Sequence, residues 1–180
     1  MEPFSSVIIE EIDIIAFGKL KNFKLRLNSG LNVIYGKNES GKSTISAFIK
    51  FMFYGLPSKT EEKLHFISWQ TASAGGFLVF REGDQRYRIE REVVCSTNAE
   101  GKYNFRERLA VFDAGTNMPC FKGQSPGEVF FGVSASVFES TAYIRQTANT
   151  KIGGHALGEE AEHILFSGNE SINTKKAIDK

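Results

Sequence analysis

The period of the hydrophobic pattern changes along the chain from two to about 3.6 and back again, and the changes divide it into strands and helices. Residues 7–15 are rich in isoleucine and valine, and residues 23–27 alternate Phe23, Leu25 and Leu27 with Lys24 and Arg26, as a half-exposed strand does. Asn28, Ser29 and Gly30 form a turn signal before residues 31–35, an apolar run that predicts a short buried strand. Residues 44–54 then carry a helical pattern that Gly55 and Pro57 stop. Two strands thus precede the run at 31–35, so the chain opens as a β-meander.

Residues 58–74 read as irregular and polar around the single tryptophan, Trp69, taken as a packing residue rather than a base-stacking platform. A second β region follows at 76–81, 85–94 and 105–112, with a Glu82-Gly83-Asp84 turn. In the middle strand Tyr87, Ile89 and Arg91 share one face, and Arg86, Arg88 and Glu90 the other, which reads as a solvated polar face. Pro126 after Ser125 marks a helix start, and residues 134–140 suggest another short helix. Residues 141–146 suggest a strand ending in Gln146, and the polar stretch from 156 onward has apolar residues at helical spacing.

Candidate chemistry sits between the predicted third strand and the first helix. Gly36-Lys37-Asn38-Glu39-Ser40-Gly41-Lys42-Ser43-Thr44 fits the phosphate-binding pattern G-x-x-x-x-G-K-S/T without a mismatch. Glycines at 36 and 41 allow backbone torsions and close approach that a Cβ would forbid, so successive N–H groups can turn toward phosphate oxygens. The helix beginning near Lys42 adds the positive end of its dipole. Lys42 can then reach the β- and γ-phosphates, and Ser43, rather than Thr44, is the expected Mg²⁺ ligand. A bare Gly/Ser turn capping a helix would also produce these residues, but the strand and helix patterns on either side favour nucleotide binding.

Composition adds limits. The chain has 180 residues, enough for one domain with a real core, and its 41% hydrophobic and 24% charged residues are ordinary for a soluble protein. Sixteen phenylalanines point to aromatic packing. A formal charge of +1 gives no whole-molecule attraction to nucleic acid or an anionic membrane. No apolar run approaches the ~18 residues of a membrane span, and the amino terminus lacks the features of a secretory signal, so a cytoplasmic location and no membrane contact are expected. Cys95 and Cys120 have no metal-ligand spacing and read as inert thiols.

Hydrolysis at such a loop needs a strand-end aspartate for Mg²⁺ and a group to orient water. Residues 109–113 end four apolar positions in Asp113, but Asp113-Ala114-Gly115-Thr116-Asn117 is also a hairpin turn with no second acid, and the turn is the favoured reading. Gln146 is the other polar candidate, through its carbonyl oxygen.

The segment 17–23, the run 31–35 and the loop with its Asn38-Glu39 pair resemble the amino-terminal lobe of an SMC-like ABC ATPase head. The nearest branch is that of the RecF, SbcC and YhaN-type proteins of DNA double-strand-break repair. Residues 87–91 and the segment from Phe138 to Gln146 are similar to further family segments in the same order. The resemblance implies an α/β P-loop NTPase fold, with an antiparallel β subdomain beside a strand-helix core. Residues 1–150 would form the lobe, and 151–180 would begin a helical, coiled-coil segment.

By that resemblance, Lys42 and the loop backbone hold ATP phosphates, while Ser43 and Gln146 hold Mg²⁺. Lys19 and Asn22 fall where the family places polar groups near the nucleotide. The serine-rich signature, the acidic pair and the switch histidine belong to a carboxy-terminal lobe; residues 165–170 only superficially resemble the signature. The expected partners are the protein's own carboxy-terminal lobe, a second head in a homodimer, DNA and a nuclease. The 180 residues then form an amino-terminal fragment that binds ATP·Mg²⁺ without turning it over. A transporter ATPase subunit and a non-catalytic docking module are the competing readings.

Overall fold

The computed structural model describes residues 6–121 and 123–143. The chain divides after Gly132 into two units. The first is built from β1 (Val7–Phe17), β2 (Leu20–Arg26), α1 (Lys42–Tyr54), α2 (Thr60–Leu64), β3 (Ser73–Glu82), β4 (Gln85–Thr97), β5 (Tyr103–Asp113), β6 (Pro119–Phe121) and α3 (Pro126–Phe131). Its strands form one sheet in the order β2-β1-β3-β4-β5-β6, antiparallel throughout. The second unit contributes α4 (Ala135–Thr141), capped by the Ser134 side chain, which accepts from the Val137 amide.

The sheet has this register because its apolar positions alternate. Ile12, Ile14, Leu78, Phe80, Ile89, Val93 and Val111 are buried on one face, and against them α1 buries Ile45, Phe48, Phe51, Met52 and Phe53. Each of those large side chains, once out of water, contributes about 1.5–3 kcal/mol before ordering costs. A one-residue slip of any strand would turn its apolar set to the solvent side. The phenylalanines form two groups. Phe17 stacks on Phe66 at 4.9 Å and meets the edge of Phe48 at 5.3 Å. Phe80 stacks on Tyr87 and takes Phe53 and Phe130 edge-on.

Glycine is required where α1 meets the sheet. A Cβ at Gly76 would lie 2.1 Å from the Asp13 carbonyl oxygen and 3.0 Å from Cζ of Phe48. The opposite face of the sheet is polar and ion-paired: Lys24 meets Asp13 at 2.7 Å and Arg88 meets Glu90 at 2.8 Å.

The opening meander, α1 with its Gly55 stop, strands β3 to β5 and the helix starts at Pro126 and Ser134 lie where the pattern predicts them. Three expectations fail. Residues 31–35 form no strand, and Leu31, Val33 and Tyr35 are exposed, Tyr35 at 96%. A strand exists only by pairing, and among the described residues no strand pairs with this one. Residues 58–74 are not wholly irregular, because Glu61 and Glu62 favour the first turn of α2. Thr141 is the last residue of α4 and so opens no strand; Ser140 and Thr141 hydroxyls donate back to the Ser136 and Val137 carbonyls. Gln146, residues 151–180 and the signature-like run at 165–170 lie outside the described residues.

Candidate phosphate-binding site

The loop from Gly36 to Gly41 is a tight turn closed by a Ser40 N–H to Lys37 carbonyl bond of 3.2 Å. Glu39 (φ 65°) and Gly41 (φ 98°) are both left-handed, a conformation a non-glycine residue such as Glu39 adopts only at a cost of about 1 kcal/mol or more. Such torsions turn backbone N–H groups to one side of a loop. Both glycines are crowded by side-chain tips: a Cβ would lie 2.5 Å from Ser40 Oγ at Gly36 and 2.7 Å from Leu20 Cδ2 at Gly41, so a neighbour would have to shift. Gly41 is also the N-cap of α1, whose carbonyl accepts the Ile45 N–H at 3.0 Å. The first-turn N–H groups of this 13-residue helix therefore open beside the loop.

Two lysines converge here. Lys42 Nζ donates to the carbonyl oxygens of Gly36 and Lys37, both at 2.7 Å, which engages two of its three N–H donors and fixes its charge across the loop. Lys19, from the turn between β1 and β2, donates to the carbonyl oxygen of Glu39. Ser43 is exposed, whereas Thr44 is partly covered, its methyl lying against Gly18, so Ser43 is the more accessible of the pair. Asn22 is exposed on β2 with φ 50° and makes no hydrogen bond to the loop. The structure thus brings Lys19 to residues 36–44 and leaves Asn22 aside. Two lysines, a helix N-terminus and a cradle that a Cβ would fill suit a polyphosphate.

The alternative acidic candidate is accounted for by its turn. Asp113 Oδ1 accepts the N–H groups of Gly115 (2.8 Å) and Thr116 (2.7 Å), and its Oδ2 accepts from Gln85. The Thr116 amide, chiefly, holds this carboxyl below the usual range. The turn leads straight into β6. No cluster of potential metal ligands occurs among the described residues. Both cysteines are free, and burial raises both thiols.

Two basic residues on the polar face of β4 are neutralised. Arg86 binds Glu10 at 2.8 Å, and Arg88 binds Glu90 while lying over the Phe112 ring. The face read from the sequence as solvated and polar is, in addition, ion-paired. Trp69 corrects the sequence reading: its side chain is 86% exposed and packs no core. Nor did the pattern single out Arg91, which is 4% exposed beneath α1; its place on the face of Tyr87 and Ile89 was the available signal.

No helix among the described residues is long and apolar enough to cross a membrane. Over 86 residues the chain is 29% identical to a DNA double-strand break repair Rad50 ATPase of Archaeoglobus fulgidus. That alignment takes in 48% of this chain and 10% of the relative, so the chain spans only a small part of that protein's length. The AAA domain family matches residues 11–177, most of the sequence. On the extent of that match, the chain belongs to the AAA domain family.

Proposed function

We propose that this chain is the ATP-binding amino-terminal lobe of an SMC-like ATPase head, of the kind that acts in double-strand-break repair. The observation that carries the reading is the convergence of Lys42 and Lys19 on the backbone of residues 36–44 at the start of α1. Lys42 and the loop N–H groups would hold the β- and γ-phosphates, and Ser43, with Gln146, would hold Mg²⁺. Bound there, ATP supplies a phosphoanhydride whose cleavage releases free energy. Residues 1–150 form the lobe, and 151–180 begin its helical extension.

The exposed run 31–35 supports the same reading. Leu31, Val33 and Tyr35 are spaced to line one side of a strand, and they stand unpaired next to the loop. A carboxy-terminal lobe would pair with this segment and bring the acidic groups that activate water. A second head would complete the site in a homodimer, with DNA and a nuclease as partners of the assembly in the cytoplasm.

Isothermal titration of the 180-residue chain with Mg·ATP tests the reading. Binding that Lys42→Ala weakens by tenfold or more is expected, since the variant removes the charge fixed across the loop. Equal affinity in both proteins, or no binding to either, overturns it. The chain alone should show negligible turnover; ATP hydrolysis abolished by Lys42→Ala would overturn that part.

A further inference from the structure

Trp69 is a large apolar ring held in water by a turn that is tied down on both sides. Before it, the Phe66 carbonyl oxygen accepts the Gly18 N–H at 2.7 Å, its ring stacks on Phe17, and Ser68 is buried. After it, Gln70 Oε1 accepts from Lys21 Nζ at 3.0 Å, the Ser68 N–H donates to the Ser73 carbonyl at 2.9 Å, and the Ala72 carbonyl accepts the Cys95 N–H. The turn costs something to hold, because Ala72 is left-handed at φ 50°. A pinned turn that presents rather than buries its one big aromatic ring is preorganised for a flat partner.

Three consecutive residues at the start of β2 reach the phosphate-binding loop and this turn between them. Lys19 donates to the Glu39 carbonyl, Leu20 lies against Gly41, and Lys21 donates to Gln70 beside Trp69. Lys19 and Lys21 are two residues, about 7 Å, apart. Gly18, just before them, lies close to both the Thr44 methyl and the His65 carbonyl: a Cβ there would sit 3.6 Å from one and 3.4 Å from the other. The hairpin tip therefore links the cradle to the tryptophan over a short span.

We propose that Trp69 is the platform on which the base of a nucleoside triphosphate stacks when its phosphates occupy residues 36–44. The inference rests on the nucleotide-binding reading and adds the residue that would recognise the base. Stacking on an indole accepts any base because every base has a π-face, so Trp69 supplies affinity for a nucleotide over bare polyphosphate, not discrimination among bases.

Trp69 is the chain's single tryptophan, so its emission reports this position alone. Wild type, Trp69→Ala, Tyr35→Ala and Lys42→Ala chains are titrated calorimetrically with Mg·ATP and with magnesium tripolyphosphate, and wild-type emission is followed in parallel. ATP should quench the emission and tripolyphosphate should not. Trp69→Ala should weaken ATP about tenfold while leaving tripolyphosphate affinity unchanged. ATP binding that depends on Lys42 but is indifferent to Trp69→Ala overturns the platform and leaves the nucleotide reading standing. So does loss of the preference for ATP in Tyr35→Ala alone, or a Trp69 dependence seen only with a single-stranded oligonucleotide. No ATP binding to wild type overturns both.

Discussion

Arg91 Nη1 donates to the carbonyl oxygen of Phe51 at 2.9 Å, tying the middle of the sheet to the end of α1. The same carbonyl accepts the Gly55 N–H at 2.8 Å, where the helix stops. The guanidinium is buried, and burial lowers its pKa, partly opposed by the nearby Glu107 carboxylate. That carboxylate stands 3.4 Å from Nε, close enough for attraction, yet Nε makes no hydrogen bond. The cation is thus held mainly by the helix's carbonyl end, where positive charge is favoured.

Replacing Arg91 by alanine should cost about 2–4 kcal/mol, since it removes a buried hydrogen bond to charge and opens a void beside Phe51. Glu107→Ala should cost under about 1 kcal/mol, because its carboxylate is half exposed. Urea unfolding midpoints of the two variants check the asymmetry; equal losses would mean the ion pair, and not the helix cap, is what matters.

Gly76→Ala tests how closely β1 approaches β3. The added methyl would meet the Asp13 carbonyl oxygen at 2.1 Å, a backbone atom with no rotamer to escape into. About 3 kcal/mol or more should be lost, in the range of severe overpacking. Gly83→Ala is the control: nothing lies within 4 Å of the added methyl, and only the left-handed turn at φ 58° resists it, at about 1 kcal/mol. Thermal melts of the two proteins should rank them in that order.

The elements legible in the sequence are those whose signals are local. Gly55 after an apolar helical face ends α1, and the Gly83-Asp84 pair joins two alternating strands, so both were readable from neighbours in sequence. The run 31–35 failed because burial of a strand is a property of its neighbours, and the pattern of Leu31, Val33 and Tyr35 carries no information on whether one is present. Arg91 escaped for a related reason. Its position on the inner face was readable, but the Phe51 carbonyl that accepts its hydrogen bond is forty residues away. At the candidate site the glycines and lysine of the loop are a local signal, whereas the Lys19 contact with the Glu39 carbonyl joins residues twenty apart and the exposure of Trp69 is set by how residues 66–73 are pinned.

Asp113 gives a pH dependence whose direction is fixed. Its carboxyl is held below the ordinary value by the Thr116 and Gly115 amides, so the folded state binds its proton less tightly than the unfolded state does. The stabilisation is therefore present above the unfolded value of about 3.9 and disappears as pH falls through the lower folded value. Asp113→Asn keeps an acceptor oxygen for the turn but does not titrate. Below pH 4 the wild-type melting temperature should fall faster than that of Asp113→Asn; parallel curves would show that the turn does not depend on the charge.

Gly41→Ala separates the site from the fold. Gly41 is left-handed at φ 98°, a region that L residues enter at about 1–2 kcal/mol, and its new methyl would lie 2.7 Å from Leu20 Cδ2. The Leu20 side chain ends in a flexible branch and can give way, so the fold should survive with a loss of about 1–2 kcal/mol. The loop has no such slack. Easing the strain moves the Gly41 backbone, which heads α1 and fixes where Lys42 begins, and the Gly36 and Lys37 carbonyls that hold the Lys42 ammonium move out of register with it. Mg·ATP affinity should fall by tenfold or more, while the urea midpoint falls only as far as about 1–2 kcal/mol accounts for and the protein stays folded without denaturant. A variant that kept wild-type affinity would show that the torsion at Gly41 serves the helix start alone and that the loop binds its ligand without it.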